Sequence, residues 1–220
     1  MGKKVFSNIT LLSVNGLLSE EVNLNCIKAL LYSSKNLEFK HTKFLTAAVP
    51  DKKIEGIEFI KINTLSYQEY SNFIIKNLYD YVDTEFVLLI QDDGFVINPE
   101  FWDDEFLNFD YIGAMWRDVP DVFRGVRVGN GGFSLRSKKL LKIAKENCPA
   151  VGINEDVSIC VYHRNIFTNN NIKFAPMRLA KKFSFETHID EYPFLDYKKT
   201  FWFHGKSYKD CLDLLKTIKI

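Results

Sequence analysis

The sequence predicts a single α/β domain in which helices flank a mixed, mostly parallel central sheet. Three observations carry this reading. The 220 residues suit one such domain and leave no room for two complete ones. Apolar residues make up 46% and Phe alone occurs 19 times, so a full core is available and disorder is excluded. The segment Glu85-Phe86-Val87-Leu88-Leu89-Ile90 is a continuous apolar run of the kind that occupies a sheet centre with both faces covered.

The elements follow in order. Val5 to Val14 reads as a buried strand, ended by the turn chemistry of Asn15-Gly16. Ser19 is an N-cap, with Glu20 and Glu21 in the first turn of a helix whose Val22, Cys26, Ile27, Leu30 and Leu31 share one face. Lys40 to Ala47 is the second strand, Pro50-Asp51-Lys52-Lys53 a turn and Ile57 to Ile62 the third strand. Ser66 caps a helix carrying Tyr70, Phe73, Ile74, Asn77 and Leu78. The central apolar run stops at Gln91-Asp92-Asp93-Gly94 and is followed by a short helical stretch near Pro99. Tyr111 to Met115 is a further strand, and Trp116 to Val128 is a charged loop long enough to be functional. Gly129-Asn130-Gly131-Gly132 leads into Phe133-Ser134-Leu135, Ser137 caps a helix to about Glu146, and another helix starts near Asn154-Glu155-Asp156. Phe201-Trp202-Phe203-His204-Gly205 is apolar up to its His-Gly break, and an amphipathic terminal helix with Leu212, Leu215 and Ile218 closes the chain.

Composition removes several function classes. With 29 Lys plus Arg against 28 Asp plus Glu, the net charge of +1 lacks the basic excess of a general nucleic-acid binder. Cys26, Cys148, Cys160 and Cys211 form neither a CxxC pair nor a zinc-ligand spacing and read as reduced, mostly buried thiols. The first residues lack a leader's cleavage site, and no apolar run approaches the ~20 residues of a membrane span. Together these features point to a cytoplasmic location.

Chemistry concentrates at a few places. In an open α/β sheet, ligands bind outside the carboxyl ends of the central strands, which puts Asp92 and Asp93 at a cleft. On an extended segment Gln91 and Asp93 share one direction and Asp92 takes the other, although Asp92-Asp93-Gly94 also suits a plain Asx turn. One carboxylate with a neutral amide suits a divalent cation held largely by substrate phosphates. Glu155 and Asp156 stand at a helix start, where capping alone favours acids and where a general base is equally at home. The glycine segment lacks the Lys-Ser/Thr of a P-loop, and its bare backbone allows a ligand close approach at Asn130, Gly131 and Gly132. His204 places a metal-ligand type beside Lys206, a cationic phosphate partner. Arg117, Arg124 and Arg127 suit either a diphosphate or a solvated loop face, and Trp116 and Trp102 suit core or cleft wall.

These segments carry a resemblance. QDDGFVINP (91–99), FDYIGA (109–114), VGNGGFSLRS (128–137), Glu155-Asp156, Phe174-Ala175-Pro176, Phe183-Ser184-Phe185-Glu186 and Phe203-His204-Gly205 occur in order. The chain thereby resembles glycosyltransferases of the Rossmann-like GT-A fold, and within them a largely uncharacterised glycosyltransferase-like domain family. The resemblance implies a nucleotide-binding half at 1–98, an acceptor and catalytic half at 99–205 and a C-terminal helix at 206–220. It implies Asp93 and His204 as ligands of Mn²⁺ or Mg²⁺, with Gln91 standing where a D-x-D motif has its first Asp. Asp156, or second Glu155, is implied as the base of an inverting transfer. Ser13, Asn15, Gln91, Asp92 and Lys206 would bind the nucleoside-diphosphate sugar, and Trp116, Arg127, Asn130, Gly131 and Gly132 the substrate side. The acceptor, a glycan, protein or lipid-linked hydroxyl, would be gripped by the long loop or by a second subunit of a homodimer. The competing reading, favoured by Gln91, is a sugar-nucleotide or glycan-binding domain without catalysis.

Overall fold

The computed structural model describes residues 3–150, 152–189, 196–205 and 212–220. Strand β1 (Lys4–Asn15) runs into a turn that Asn15 itself builds, accepting the Leu17 N–H at 3.0 Å and donating to Asn23 Oδ1 at 2.7 Å. Helix α1 (Glu20–Ser33) starts where expected, with Ser19 Oγ accepting the Val22 N–H. Strands β2 (Leu37–Thr46) and β3 (Glu58–Lys61) follow, then α2 (Tyr67–Lys76) behind a complete Ser66–Glu69 capping box. Strand β4 (Phe86–Ile90) is the predicted apolar run. Next come β5 (Gly94–Val96), two short 3₁₀ turns and β6 (Tyr111–Met115).

After the loop, β7 (Val128–Ser137) leads into α3 (Lys138–Asn147), whose first turn Ser137 caps at Leu140 N. The rest is α4 (Glu155–Val157), α5 (Arg164–Asn169), α6 (Met177–Phe183), β8 (Ser184–Phe185) and β9 (Trp202–His204). Between α4 and α5 the chain makes a wide turn in which the His163 N–H reaches Ser158 O.

The main sheet has the order β3-β2-β1-β4-β7-β6. The first four strands are mutually parallel and β7 is antiparallel to both neighbours, so five of the six run one way. Both faces are covered, as the apolar run requires: Leu88 and Ile90 pack with α1 and the aromatic cluster, Val87 and Leu89 with α2 and α3. Each such side chain contributes about 2 kcal/mol when fully buried. Much of the Phe content fills the α1 face, where Phe95, Phe106, Phe133, Phe183, Phe201 and Phe203 are all fully buried. A second sheet, β5-β9-β8, lies on that side.

The structure adds local detail at three places. Gln91-Asp92-Asp93-Gly94 is a tight turn, closed by Gly94 N–H to Gln91 O, and it feeds β5. The glycine segment is itself part of the buried strand β7. Of the terminal helix, Leu212 and Asp213 are helical and a short 3₁₀ turn, Leu214–Thr217, follows. Lys206, Cys211 and the first part of that expected helix lie outside the described residues, whereas Cys26, Cys148 and Cys160 are buried free thiols as anticipated.

Candidate active site

The carboxyl ends of β1 and β4 open onto a cleft of about 400 Å³. Its walls include Asn15, Gln91, Asp92, Asn130, Gly132, Glu155, Asp156 and His204, so eight sequence-predicted residues from five separate segments converge. A β-bulge brings the glycine segment there. Gly113 pairs with Ser134 while the adjacent Ala114 pairs with Asn130, which leaves the intervening β7 residues without partners on β6 and free to bow. Their missing side chains make room for the protein's own groups. A Cβ on Gly131 would stand 2.5 Å from Glu155 Oε1 and 2.8 Å from Arg136 Nη2, and one on Gly132 would collide with the His204 imidazole.

Behind Gly131 lies a charged cluster. Arg136 is fully buried and donates from Nη2 to Glu155 Oε1 at 2.9 Å and from Nε to Ser134 Oγ at 2.9 Å. Ser134 Oγ in turn donates to Gly131 O, and the Gly131 N–H donates to Asp156 Oδ2 at 3.0 Å. The Val157 N–H holds the other oxygen, Oδ1, at 2.7 Å. Burial, reinforced by the Glu155 charge, pushes the Asp156 carboxyl up to about 7, with the two N–H donors and Arg136 opposing. Tyr70, on α2, accepts a hydrogen bond from Gln91 Nε2 at 3.3 Å, and burial beside Glu155 pushes its hydroxyl further up.

On the opposite wall, His204 Nε2 stands 3.2 Å from Asp93 Oδ1 and 3.4 Å from Gln91 Oε1. The turn at Asp92-Asp93 therefore breaks the strict alternation, yet Gln91 and Asp93 still reach one point. Strand pairing fixes that geometry, since β5 and β9 set Gly94 opposite His204 and the Gly205 N–H donates to Asp93 O. Burial works against the charged imidazole, but the hydrogen bond and charge of Asp93, with Glu186 and Asp92, outweigh it and raise its proton affinity. Glu186 lies 3.8 Å from the other ring nitrogen, and burial raises its own carboxyl against the pull of His204 and Asn130.

A family of proteins described as "Protein of unknown function (DUF5672)" matches residues 53–204. The chain belongs to this DUF5672 family. No curated protein matches its sequence. Among solved structures, the galactosyltransferase LgtC in complex with donor and acceptor sugar analogues is similar to this DUF5672 chain at 14% identity and a TM-score of 0.56, over 94% of this chain and 93% of that one. The apo form of the glycosyltransferase GlyE from Streptococcus pneumoniae TIGR4 is similar at 12% identity and a TM-score of 0.52, over 99% of this chain and 61% of that one. At such identities the likeness is one of fold, and the fold is that of the GT-A glycosyltransferases.

The metal that this fold implies can be tested against the residues present. Ligand atoms on adjacent corners of one octahedral ion at ~2.1 Å lie about 3 Å apart, close to the spacing of His204 Nε2 from Asp93 and Gln91. Nitrogen and oxygen donors together suit Mn²⁺. Among the described residues no group of three or more His, Cys, Asp or Glu side chains could hold a metal ion; the third polar group beside His204 and Asp93 is the amide of Gln91.

The remaining candidates scatter. Ser13 is fully buried within the sheet and lies on neither cleft wall. Trp116 packs over Gly129 and against Phe123 and, with Arg117, Asp93, Glu186 and His204, lines a second cleft of about 450 Å³. Arg127 is on neither wall, and no Lys or Arg is among the described residues lining the first cleft; of the three loop arginines only Arg117 lines either one, the second. Arg136, Tyr70 and Glu186 were not anticipated. Arg136 and Glu186 stand within recurring segments, and Tyr70 on the helix face already assigned, but only long-range contacts give them a role.

In the described residues no helix is long and apolar enough to cross a membrane.

Proposed function

We propose that this chain is a glycosyltransferase that moves a sugar from a nucleoside-diphosphate sugar to an acceptor hydroxyl, with a divalent metal and inversion at the anomeric carbon. The observation that carries the reading is that the Asp156 carboxylate lines one cleft with His204 and Gln91, whose imidazole and amide meet Asp93 at its edge. Asp156 is suited to a base: a carboxyl near neutrality binds the acceptor proton firmly yet is ionised enough to accept it. As the acceptor oxygen bonds to the anomeric carbon, its proton passes to Asp156 and the sugar–phosphate bond breaks, its electron pair staying on the diphosphate. Asp93, His204 and Gln91 would hold Mn²⁺ or Mg²⁺, which when bound offsets the charge of the leaving diphosphate. Asn15, Gly16 and Leu17 at the end of β1, with Tyr67 and Tyr70 on α2, leave room beside that cluster for the nucleoside.

The test is a panel of nucleotide sugars incubated with the protein and Mn²⁺, read as release of nucleoside diphosphate. One donor should turn over slowly without acceptor, and Asp93→Asn should abolish that turnover while the fold persists by circular dichroism. Full activity in Asp93→Asn removes the metal role, and near wild-type transfer in both Asp156→Ala and Glu155→Ala removes the base. The second reading, binding without catalysis, is favoured by Gln91, whose amide is engaged by Tyr70 and His204. It predicts stabilisation by a donor with no diphosphate release.

A further inference from the structure

The adjacent carboxylates Glu155 and Asp156 are equivalent in sequence but not in surroundings. Glu155 is 6% exposed and ion-paired to a guanidinium that is fully buried. Asp156 lines the same cleft, and its two oxygens accept from the Gly131 and Val157 N–H groups. Arg136 touches both sides of this asymmetry. It binds Glu155 directly, and through Ser134 it tethers the carbonyl of Gly131, the residue whose N–H holds Asp156. A buried Arg that served only to tie α4 to β7 would be replaceable by apolar packing, often without loss of stability.

We propose that Glu155 and Arg136 are positioning residues, a buried ion pair that fixes both the charge beside Asp156 and, through Ser134, the glycine whose N–H orients its carboxylate. This rests on Asp156 being the base. The groups facing Asp156 from the packed elements are Arg136 on β7, Tyr111 on β6 and Cys160 in the turn after α4, while Tyr70 on α2 faces Glu155 and Arg136. Burial raises the thiol and both phenols far above neutrality, so Arg136 is the charged one among these four, set against the Glu155 carboxylate it pairs with. Their effects on Asp156 oppose each other, Glu155 raising its proton affinity and Arg136 lowering it.

Opposite shifts follow. Glu155→Gln removes the repulsive charge and leaves Arg136, so Asp156 should ionise at lower pH. Arg136→Gln leaves two buried carboxylates without a counter-ion, so protons should be held to higher pH. A shift of one pH unit is a tenfold change in proton affinity. The experiment is a ¹³C-detected NMR titration of the Asp156 carboxyl in the wild type and both variants, alongside pH profiles of kcat for donor turnover. Glu155→Gln is expected to move both the Asp156 titration and the acid limb of its remaining turnover down by about one unit or more. Arg136→Gln is expected to move them up, with Arg136→Lys partly restoring the wild-type position.

Glu155→Gln that abolishes turnover at every pH, or titrations unmoved in both variants while only Tm falls, overturns the proposal. If Arg136→Gln fails to fold, the Glu155→Gln titration alone decides it. Turnover that survives in Asp156→Asn sinks the base assignment instead, and the NMR titration still reports on the ion pair.

Discussion

Asp156 holds a carboxyl in a place that resists its charge, and that has a thermodynamic signature. Its proton affinity in the native state, at about 7, lies above the ordinary value of 3.8, so the native state binds the extra proton. Stability from this group is therefore fully present below about pH 4 and is lost as pH rises through 7, by on the order of 4 kcal/mol. Asp156→Asn should raise Tm relative to wild type at pH 8 and lose that advantage at pH 5, while kcat falls by about 10²–10⁴. Equal Tm differences at the two pH values would show that the carboxyl is not perturbed. The acidic pair was legible in the sequence as a pair, because acids at a helix start after a glycine stand out. Which member faces substrate was not legible, because it depends on Arg136, a residue 19 positions away along the chain from Glu155.

Helix α2 owes its start to the Ser66–Glu69 capping box, and that start carries Tyr67 and Tyr70 to the cleft. Tyr67 donates to Asn154 Oδ1 at 2.9 Å, just ahead of α4, so the cap and the cleft wall are joined. Ser66→Ala should cost about 1 kcal/mol of stability. It should also raise KM for the donor more than it lowers kcat, since α2 contributes wall and not base; an unchanged KM would detach the helix from the site. Elements such as α2 and β4 were readable because a cap or a continuous apolar run is a local signal. Strands β5 and β8, of three and two residues, carry no period of their own and exist only through pairing with β9. The same holds for the turn at Asp92-Asp93, where alternation fails because Gly94 already belongs to the second sheet.

For the molecule as a whole, the cleft at the ends of β1 and β4 offers three carboxylates, Asp92, Glu155 and Asp156, and among its described residues neither Lys nor Arg, with the His204 imidazole as its one basic side chain. A doubly charged diphosphate entering alone would be repelled, so the donor should stabilise the protein strongly only with Mn²⁺ present. At a donor concentration of ~100 Kd the gain is about 2.7 kcal/mol. Thermal-shift curves that are the same with and without the ion would place the phosphate charge elsewhere. The parallel half of the sheet was readable from the β-α-β-β-α order of its first elements, whereas the small sheet joins Gly94 to His204 across half of the chain. That join also sets a schedule for synthesis. While the ribosome is still making residues before Trp202, Phe133 lacks Trp202, Phe95 lacks Phe203 and Asp93 lacks its imidazole. Closure of this part of the core and assembly of the His204 cluster are thus one late event, set by the emergence of residues 202–204.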